Sequence, residues 1–535
     1  MTSSTSVNLA DAERVNWSVI IVLIIAAFMA ILDSSIVNVA LPKMMAVFGV
    51  STKKAEWILT GYMLTLGVVM PLSGYLGDTF GYKRIFIMAL SLFILGSVLC
   101  GMSWSINSMV AARVIQALGG GLLQPISMAM IFKDCPRSKI GMVLGVWGIS
   151  AMAAPAIGPT LGGYLVEYAN WRLIFYINLP IGIINLFLAA ANLKETALVR
   201  GKHFDLLGVI FSTVGFLCLL MALSEGAGEG WTSPYIVTLL TIAITSLVAL
   251  AINELRHPEP ILDLRLFKNF LFALSNIIGA ILAIGLFGAI FLMPILIQNV
   301  LGQTAMKSGL LTFPAAVASG LMMPVSGKIF DKYGARGIVI IGLVITTWTT
   351  YIMSGFNLIT PFAAITFWMA IRGAGMGLCM MPVTTVGMNT VPPHLVGKAS
   401  ALSNVVRQVS ASFGIAILTT IMQKREVFHF ANLAQSVNMN GNEAYALQTA
   451  LQDMAIHQGL SYGTAQGVGL GLVAQRVTLL SMVNAIGDCF IVAAGMCLLA
   501  LILCFWLKDK KKPVGPAASS PAIKAPDAKP ALKTQ

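Results

Sequence analysis

The sequence GYLGDTFGYKR at residues 74–84 recurs in related form as GKIFDKYGAR at residues 327–336. Both stretches contain Gly-x3-Asp-x2-Gly followed by a basic residue, and they lie 253 positions apart. A second pair of related stretches lies at nearly the same offset, with Arg113 shortly before GGGLLQP and Arg372 shortly before GMGLCMMP. These two pairs of related stretches predict a chain that is built from two parallel, related halves.

The bilayer is predicted to surround most of the chain, because 57% of its 535 residues are hydrophobic and only 10% are charged. Soluble domains carry about 25% charged residues, and a spanning helix needs about 20 predominantly apolar residues. With that window the sequence gives fourteen runs, at 18–40, 56–76, 85–104, 108–132, 140–165, 172–193, 206–224, 235–253, 270–298, 306–327, 337–356, 361–386, 399–421 and 483–507. The predicted fold class is therefore all-α integral membrane.

The distribution of Lys and Arg predicts the orientation. An even number of spans puts both termini on one side of the membrane. If that side is cytoplasmic, the inside segments hold 23 of the 34 Lys and Arg residues, the outside segments hold 7, and 4 lie in or at the ends of spans. Because cytoplasmic loops carry the excess of positive charge, both termini are predicted to be cytoplasmic.

The repeat divides the predicted spans into six, two and six. The segments are a cytoplasmic N-terminus at 1–17, a six-helix bundle at 18–193, a linker with two extra transmembrane helices at 194–269, a second six-helix bundle at 270–507 and a disordered cytoplasmic tail at 508–535. The second bundle includes a long polar outside loop at 422–482. Transporters built from repeated halves place their substrate site between the halves, near the bilayer midplane.

Several classes of protein and site are excluded by the residues. The net charge of +13 does not indicate a nucleic-acid partner, because the basic residues are scattered over short loops. No Walker sequence is present, which argues against ATP as the energy source. The five histidines are predicted to lie in loops without metal-ligand spacing, and the seven cysteines indicate no disulfide framework. We therefore expect no enzyme, no metal site and no cofactor.

Helix 1 carries the string LDSSIVNVALP, in which Asp33 is the only carboxylate well inside a span of the first half. An ionisable side chain inside the membrane is costly and marks a functional site by default. Arg113, in the string RVIQALG of helix 4, needs a partner for the same reason. We predict that Asp33 and Arg113 form a proton-coupling pair, with Asn38 and Gln116 as candidate substrate or second proton groups. The alternative is a structural ion pair that locks helices 1 and 4.

Helix 5 carries the string APAIGPTLGG. Pro155 and Pro159 remove backbone hydrogen bonds and kink the helix. Gly158, Gly162 and Gly163 provide a smooth face, which we predict to contact a helix of the other half. The alternative is a kinked packing helix without a link to the direction of transport.

The repeated stretch predicts a latch between the halves on the cytoplasmic side. Glycines allow a tight turn in the predicted loop between helices 2 and 3, and an Asp in it can sit at a helix N-terminus or pair with a nearby Arg. The alternative is a simple charged turn, which two copies in register disfavour. The predicted latch residues are Gly74, Asp78, Gly81, Lys83, Arg84 and Asp331.

Three charged residues of the second half are further candidates for a substrate or second proton site. Arg372 and Arg407 lie in or near spans. Asp488 lies near the outer end of helix 14, where it is either a protonatable or substrate-sensing group or a solvated carboxylate at a helix start. The string WRLIFYINLP at 171–180 is interpreted as an interfacial Trp and Arg anchor.

Across residues 15–507 these motifs resemble the major facilitator superfamily and, more narrowly, its fourteen-helix drug:proton antiporters of the EmrB type. The stretch at 74–84 is similar to the most general signature of the superfamily, and the helix 5 string to one associated with antiporters. The resemblance implies the major facilitator fold, with two six-helix bundles and two inserted helices. It also ties the position of Arg113 to proton transfer, through its effect on a nearby carboxylate. Thr79 stands where the family usually has a basic residue, which weakens the expected latch.

The resemblance implies a proton-coupled exporter of lipophilic drugs or toxic compounds that works by alternating access in the bacterial inner membrane. Because interior Arg residues outnumber carboxylates, we expect neutral or weakly acidic lipophiles rather than dications. Relatives in double-membraned bacteria work with a periplasmic adaptor and an outer-membrane channel, and the segment 422–482 is either a docking surface for them or an elaborated connection. The alternatives are a specific exporter of a fatty acid, siderophore or metabolite, and a non-transporting membrane scaffold or sensor.

Overall fold

The computed structural model of the protein describes residues 15–136, 139–195, 205–436, 449–450, 452–454, 457 and 462–507. These residues are almost entirely helical, and none of them forms a strand. The predicted tail at 508–535 and most of the predicted N-terminus at 1–17 lie outside the described residues.

Thirteen helices in the described part of the chain are long and apolar enough to cross a membrane, and one bent pair makes a fourteenth span. The predicted all-α membrane class and the count of fourteen are confirmed. The spans are α1 (Trp17–Phe48), α2 (Trp57–Val69 with Leu72–Phe80), α3 (Tyr82–Met102), α4 (Ile106–Asp134), α5 (Ile140–Tyr168), α6 (Leu173–Asn192), α7 (Leu206–Glu229), α8 (Pro234–Arg256), α9 (Phe270–Val300), α10 (Ala305–Tyr333), α11 (Ala335–Met353), α12 (Phe362–Asn389), α13 (Val396–Ser436) and α14 (Tyr462–Cys504).

The repeated motif lies mostly within helices, so the prediction of a loop was wrong for most of its length. Gly74 and Asp78 belong to the second segment of α2, which is bent by 55° against the first. Asp331 belongs to α10. Only the last glycine of each copy breaks the helix, with φ of 95° at Gly81 and 87° at Gly334. A left-handed backbone is open to glycine at little steric cost, and each helix therefore continues to the residue before it.

Helix α5 packs closely along α10 and also along α1, and so joins the two halves of the chain. The contact with α10 depends on glycines. A Cβ atom on Gly145 would lie 2.5 Å from the carbonyl oxygen of Met323, and one on Gly327 would lie 2.2 Å from that of Gly141. Because these neighbours are backbone atoms that cannot rotate away, the two helices can approach this closely only where side chains are absent.

The predicted contact of the helix 5 glycines with the other half was wrong for two of the three. A Cβ on Gly158 would lie 2.6 Å from Ser35 Oγ, and one on Gly162 would lie 2.8 Å from Ile36 Cγ1, both in α1 of the same half. Gly163 alone faces the other half, with Met306 Cβ 3.8 Å from its Cβ position. The reason is that α5 lies between α1 and α10 and turns this smooth face toward α1.

The predicted outside loop at 422–482 is helical over much of its described length, so this prediction was also wrong. Helix α13 continues to Ser436, and α14 begins at Tyr462. At 1.5 Å per residue, each helix is about 60 Å long, about twice the thickness of the hydrocarbon core. The polar composition of the segment marks exposure to water and does not end the helices.

The two extra helices lie against the seam between the halves. Helix α7 packs against α2 of the first half and α13 of the second. Trp231, between α7 and α8, donates its indole N–H to Thr420 Oγ1 of α13 at 2.8 Å. The pair therefore contacts both halves.

Candidate functional site

Asp33 lies on α1 at the centre of a buried polar cluster in the first half, and only 1% of its surface is exposed. Its carboxylate forms an ion pair with the guanidinium of Arg113 in α4. It also accepts hydrogen bonds from Gln116 Nε2 at 2.8 Å and from Asn178 Nδ2 at 3.0 Å. Three helices of the first half, α1, α4 and α6, thus bring an arginine and two amides around one carboxylate inside the membrane.

The guanidinium of Arg113 is held on all sides. Its Nη1 also donates to Gln116 Oε1 at 2.7 Å, and its Nε donates to the carbonyl of Ile58 at 3.3 Å. The ring of Tyr62 lies 3.9 Å from its Cζ, in cation–π geometry. Because an arginine remains charged in proteins, this arrangement keeps a fixed positive charge beside Asp33, whichever protonation state the carboxylate takes.

A cavity of about 500 Å³ lies between the two halves, and α1, α5, α9, α10 and α12 line it. Helix α1 reaches it through Ser35 and Asn38, which follow Asp33 by two and five positions. Helix α9 reaches it where Pro294 is followed by a π-helical turn that includes Gln298. π-Helical turns occur frequently at functional sites.

Arg372 of α12 lies on the wall of this cavity, and among the described residues that line it no other is charged. Its Nε donates to Thr350 Oγ1 at 3.0 Å, and its Nη2 donates to the carbonyl oxygen of Gly285 at 2.8 Å. The structure therefore places Asn38 and Arg372 at the cavity, and Gln116 in the Asp33 cluster.

Arg407 and Asp488 lie away from this cavity. Arg407 lines a second, much smaller space and donates to Asn404 Oδ1 at 2.5 Å. Asp488 is not at a helix start, because α14 begins at Tyr462. Its carboxylate accepts from Arg425 Nε at 2.5 Å and lies 2.7 Å from Nε2 of His429. His429 was predicted to lie in a loop, but the extension of α13 carries it.

The first copy of the repeated motif meets the beginning of α13 in the other half. A Cβ on Gly74 would lie 2.9 Å from the carbonyl oxygen of Gly397. Beside this contact, Asp78 accepts hydrogen bonds from Tyr82 Oη at 3.0 Å and from Lys133 Nζ at 3.3 Å. The glycine permits the close approach, and the aspartate organises the polar groups next to it.

The second copy meets the beginning of α5 in the same way. Oδ1 of Asp331 accepts from the backbone N–H of Gly141 at 3.2 Å, and Oδ2 accepts from that of Met142 at 3.2 Å. The first N–H groups of a helix lack partners within the helix, and a carboxylate there is also favoured by the helix dipole. Each motif copy therefore contacts the N-terminus of a helix that belongs to the opposite half.

Lys83 and Arg84 take no part in these contacts between the halves. Lys83 Nζ donates to the carbonyl of Ala190 at 2.7 Å, and Arg84 Nε lies 3.5 Å from Glu195 Oε2. Both partners lie on the side of the first half: Ala190 is in the last turn of α6, and Glu195 follows the end of that helix. The prediction that these two basic residues latch the halves was wrong, because the start of α3 points them toward α6.

The family model of the Major Facilitator Superfamily matches residues 23–415. The chain belongs to this superfamily. It is 31% identical to the multidrug export protein EmrB of Escherichia coli (strain K12), over 91% of this chain and 94% of that protein. It is 32% identical to the lincomycin resistance protein LmrB of Listeria monocytogenes, over 75% of this chain and 85% of that protein. The resemblance to EmrB-type transporters is thereby confirmed.

Other members of the superfamily support the same assignment. The uncharacterized MFS-type transporter YhcA of Bacillus subtilis is 40% identical over 92% of this chain and 93% of its own length. The proton:xylose symporter XylE has the same fold, with a TM-score of 0.58, 14% identity, and coverage of 92% of this chain and 96% of that one. The protein is a multi-pass membrane protein of a transporter family.

Sequence reasoning missed two members of the buried cluster of this transporter. Asn178 was read as part of an interfacial anchor, yet its side chain contacts Asp33. Ser97 of α3 accepts from Gln116 Nε2 at 2.8 Å and from Asn178 Nδ2 at 3.3 Å. The available signal was a polar side chain within an apolar run, but one sequence does not show which runs face each other.

In the part of the chain that the structure describes, no group of three or more His, Cys, Asp or Glu residues could hold a metal ion. The Asp33 cluster is built from one ion pair and several hydrogen bonds, with a single carboxylate at its centre.

Proposed function

We propose that this transporter is a proton-coupled antiporter that exports small lipophilic compounds by alternating access. The observation that carries the proposal is the buried Asp33 cluster, which lies two positions before Ser35, the first of the α1 residues that line the cavity between the halves. A protonatable carboxylate inside a span is a candidate proton carrier, and Arg113 keeps a fixed positive charge beside this one. Protonation of Asp33 removes one charge from the cluster and changes which hydrogen bonds α1 can make.

Movement of the halves is supported by the two motif contacts. The contacts between α2 and α13 and between α5 and α10 close the space between the halves at one end of the helices. The cavity lies between the halves toward the opposite end of the helices that line it. Separation at the motif contacts would open the cavity to the other side, which is the rocking movement of alternating access. With the orientation inferred from Lys and Arg, the motif end faces the cytoplasm of a bacterial cell and the proton gradient drives export without a bound cofactor.

An adaptor protein is a further part of the proposal. The ends of α13 and α14 that extend beyond the core carry exposed apolar side chains, including Val427 at 71% and Phe428 at 49% exposure. We propose that this helical extension, residues 425–436 and 462–475, contacts a periplasmic adaptor that leads to an outer-membrane channel in double-membraned bacteria. The adaptor should copurify with the wild-type protein. It should be lost from a V427S/F428S variant that still transports pyrene-labelled probe compounds in proteoliposomes.

The transport proposal is tested in proteoliposomes with an acidic lumen, using cationic, neutral and acidic pyrene probes. Wild-type molecules with their cytoplasmic face outward should accumulate at least one probe in the lumen while protons leave it. D33N should abolish both processes, and the matched acid-to-amide variant E167Q, at an exposed position, should preserve both. Gradient-driven accumulation that survives in D33N would remove Asp33 from the coupling mechanism.

A further inference from the structure

The two arginines at repeat-related positions have different acceptors. In the first half, Arg113 of α4 pairs with the carboxylate of Asp33 in α1. In the second half, Arg372 of α12 contacts α9, but there it donates to the main-chain carbonyl of Gly285. None of the described residues places a carboxylate within ion-pair distance of Arg372. One half therefore neutralises its buried arginine internally, and the other leaves a full positive charge in place.

The positive charge of Arg372 belongs to the cavity. Arg372 is 5% exposed and lines the space between the halves, and no other charged side chain of the described residues lines it. Of the five N–H donors of a guanidinium, Nε and Nη2 each supply one to the protein. The Nη1 group has no acceptor among the described residues, and it is available to a molecule in the cavity.

A second polar group in the same cavity lacks a partner. The hydroxyl of Ser319 in α10 is buried and makes no hydrogen bond within the described residues, and Ser319 lines the cavity. Close packing between α10 and α12 fixes its position: a Cβ on Gly373 would lie 2.1 Å from the carbonyl of Ala315, and one on Gly377 would lie 2.4 Å from that of Ser319. An unpaired buried hydroxyl is unfavourable, so a bound ligand that reached it would gain a hydrogen bond.

The rest of the wall suits an apolar body. Met152, Phe291, Met293 and Met369 line the cavity, and methionine side chains adapt to ligands of different shape. A ligand that fits has one anionic group and a hydrophobic remainder. A cationic lipophile would have to enter beside an uncompensated arginine in a low-dielectric space.

We propose that the substrates of this transporter include acidic amphiphiles, whose carboxylate pairs with Arg372 as Asp33 pairs with Arg113. The proposal rests on the exporter function proposed above and names its substrate class. Ser319 donates a hydrogen bond to the same anion or to a polar atom beside it. Arg372 is then the residue that selects for charge, and the methionine-rich wall tolerates variation in the apolar body.

Equilibrium binding of three matched probes tests this class. We would use 1-pyrenebutyrate, 1-pyrenebutanol and 4-(1-pyrenyl)butyl-trimethylammonium, which share one apolar body and differ in charge. Binding to the full-length protein in lipid nanodiscs is measured by fluorescence, with empty nanodiscs subtracted. No gradient is present, so the result does not depend on whether Asp33 couples transport to protons.

For wild type we expect 1-pyrenebutyrate to bind at least about tenfold more tightly than the trimethylammonium probe, because an ion pair replaces an ionic repulsion. R372Q should weaken 1-pyrenebutyrate binding by at least about tenfold and change 1-pyrenebutanol binding by less than about twofold. R372K should retain the preference for the anion over the cation. R256Q, which removes an exposed arginine at the end of α8, should bind all three probes as wild type does.

Equal weakening of all three probes in R372Q would assign Arg372 a purely structural role and overturn the proposal. Unchanged 1-pyrenebutyrate binding in R372Q would overturn it as well. If R372Q fails to fold, S319A provides the second variant, with weaker binding expected for 1-pyrenebutyrate alone. A wild type with the expected selectivity but no gradient-driven transport would contradict the exporter function and leave the anion site standing.

Discussion

The hydroxyl of Ser35 in α1 donates a hydrogen bond to the main-chain carbonyl of Pro155 in α5, at 3.2 Å. In a regular helix this carbonyl would accept from the N–H of residue 159, but Pro159 has no N–H. Helix α1 therefore supplies the donor that α5 lacks at Pro159, from a position two residues after Asp33. One hydrogen bond thus joins α1, next to the acid cluster, to the proline-containing part of the helix that contacts the other half.

Replacement of Ser35 by alanine should remove this link between α1 and the proline-containing part of α5. The carbonyl of Pro155 would lose its partner, and because this hydrogen bond is only partly buried the loss should cost on the order of 1 kcal/mol. We expect S35A to show a lower Tm and slower gradient-driven uptake of the probes. The matched control is S34A, because Ser34 Oγ donates to the carbonyl of Ile31 within α1 itself. Equal effects of the two variants would show that the contact with α5 has no special role.

Gly158 should tolerate alanine poorly because of the same contact. An added Cβ would lie 2.6 Å from Ser35 Oγ and 2.8 Å from Ser35 Cβ, so α1 and α5 would have to separate. We expect G158A to lose about 1–3 kcal/mol of stability and much of its transport activity. G163A is the control, since its Cβ would meet only Met306 Cβ, at 3.8 Å. Wild-type behaviour of G158A would contradict the close packing of the two helices.

The motif contact between α5 and α10 should fail when Gly327 becomes alanine. The new Cβ would lie 2.2 Å from the carbonyl oxygen of Gly141, and neither backbone can yield without moving its helix. We expect spin labels at the exposed Phe80 and Tyr333 to move apart in G327A, as measured by double electron–electron resonance. G337A should leave the distance unchanged, because nothing lies within 4 Å of its Cβ position. An unchanged distance in G327A would contradict a latch at this contact.

The fold was largely predictable from the sequence, because each signal for it was local. Apolar runs of sufficient length gave the spans, and the two Gly-x3-Asp-x2-Gly strings gave the repeat. Helix ends were less predictable: the polar residues after 421 suggested a loop, although α13 continues to Ser436. A polar sequence in water forms a helix or a loop according to tertiary contacts, such as that of Arg425 and His429 with Asp488.

The candidate site was predictable only for residues that are costly in a membrane. Asp33 and Arg113 could be identified because a charged side chain inside a membrane span is energetically costly and therefore rare. Asn178 did not, because an amide in an apolar run is less unusual. The facing direction of the α5 glycines could not be read at all, since GxxxG indicates close packing and does not name the partner. The hydrogen bond from Ser35 to the carbonyl of Pro155 could not be predicted either, because it forms only when this face of α5 is turned toward α1.

Asp488 should behave as a structural group when it is replaced by asparagine. Its carboxylate is partly exposed and paired with Arg425 and His429, and an ion pair of this kind contributes on the order of 1 kcal/mol. We expect D488N to lower the Tm slightly and to keep the proton release that accompanies probe binding. Loss of that release in D488N would make Asp488 a second proton site of the transporter.

Proton release on substrate binding tests the coupling role of Asp33 most directly. Purified protein in weakly buffered nanodiscs is mixed with 1-pyrenebutanol, which carries no titratable group, and the released protons are measured with a pH dye. Wild type and E167Q should release protons as the probe binds, and D33N should bind the probe and release none. Proton release by D33N equal to that of wild type would contradict Asp33 as the group that couples substrate to proton.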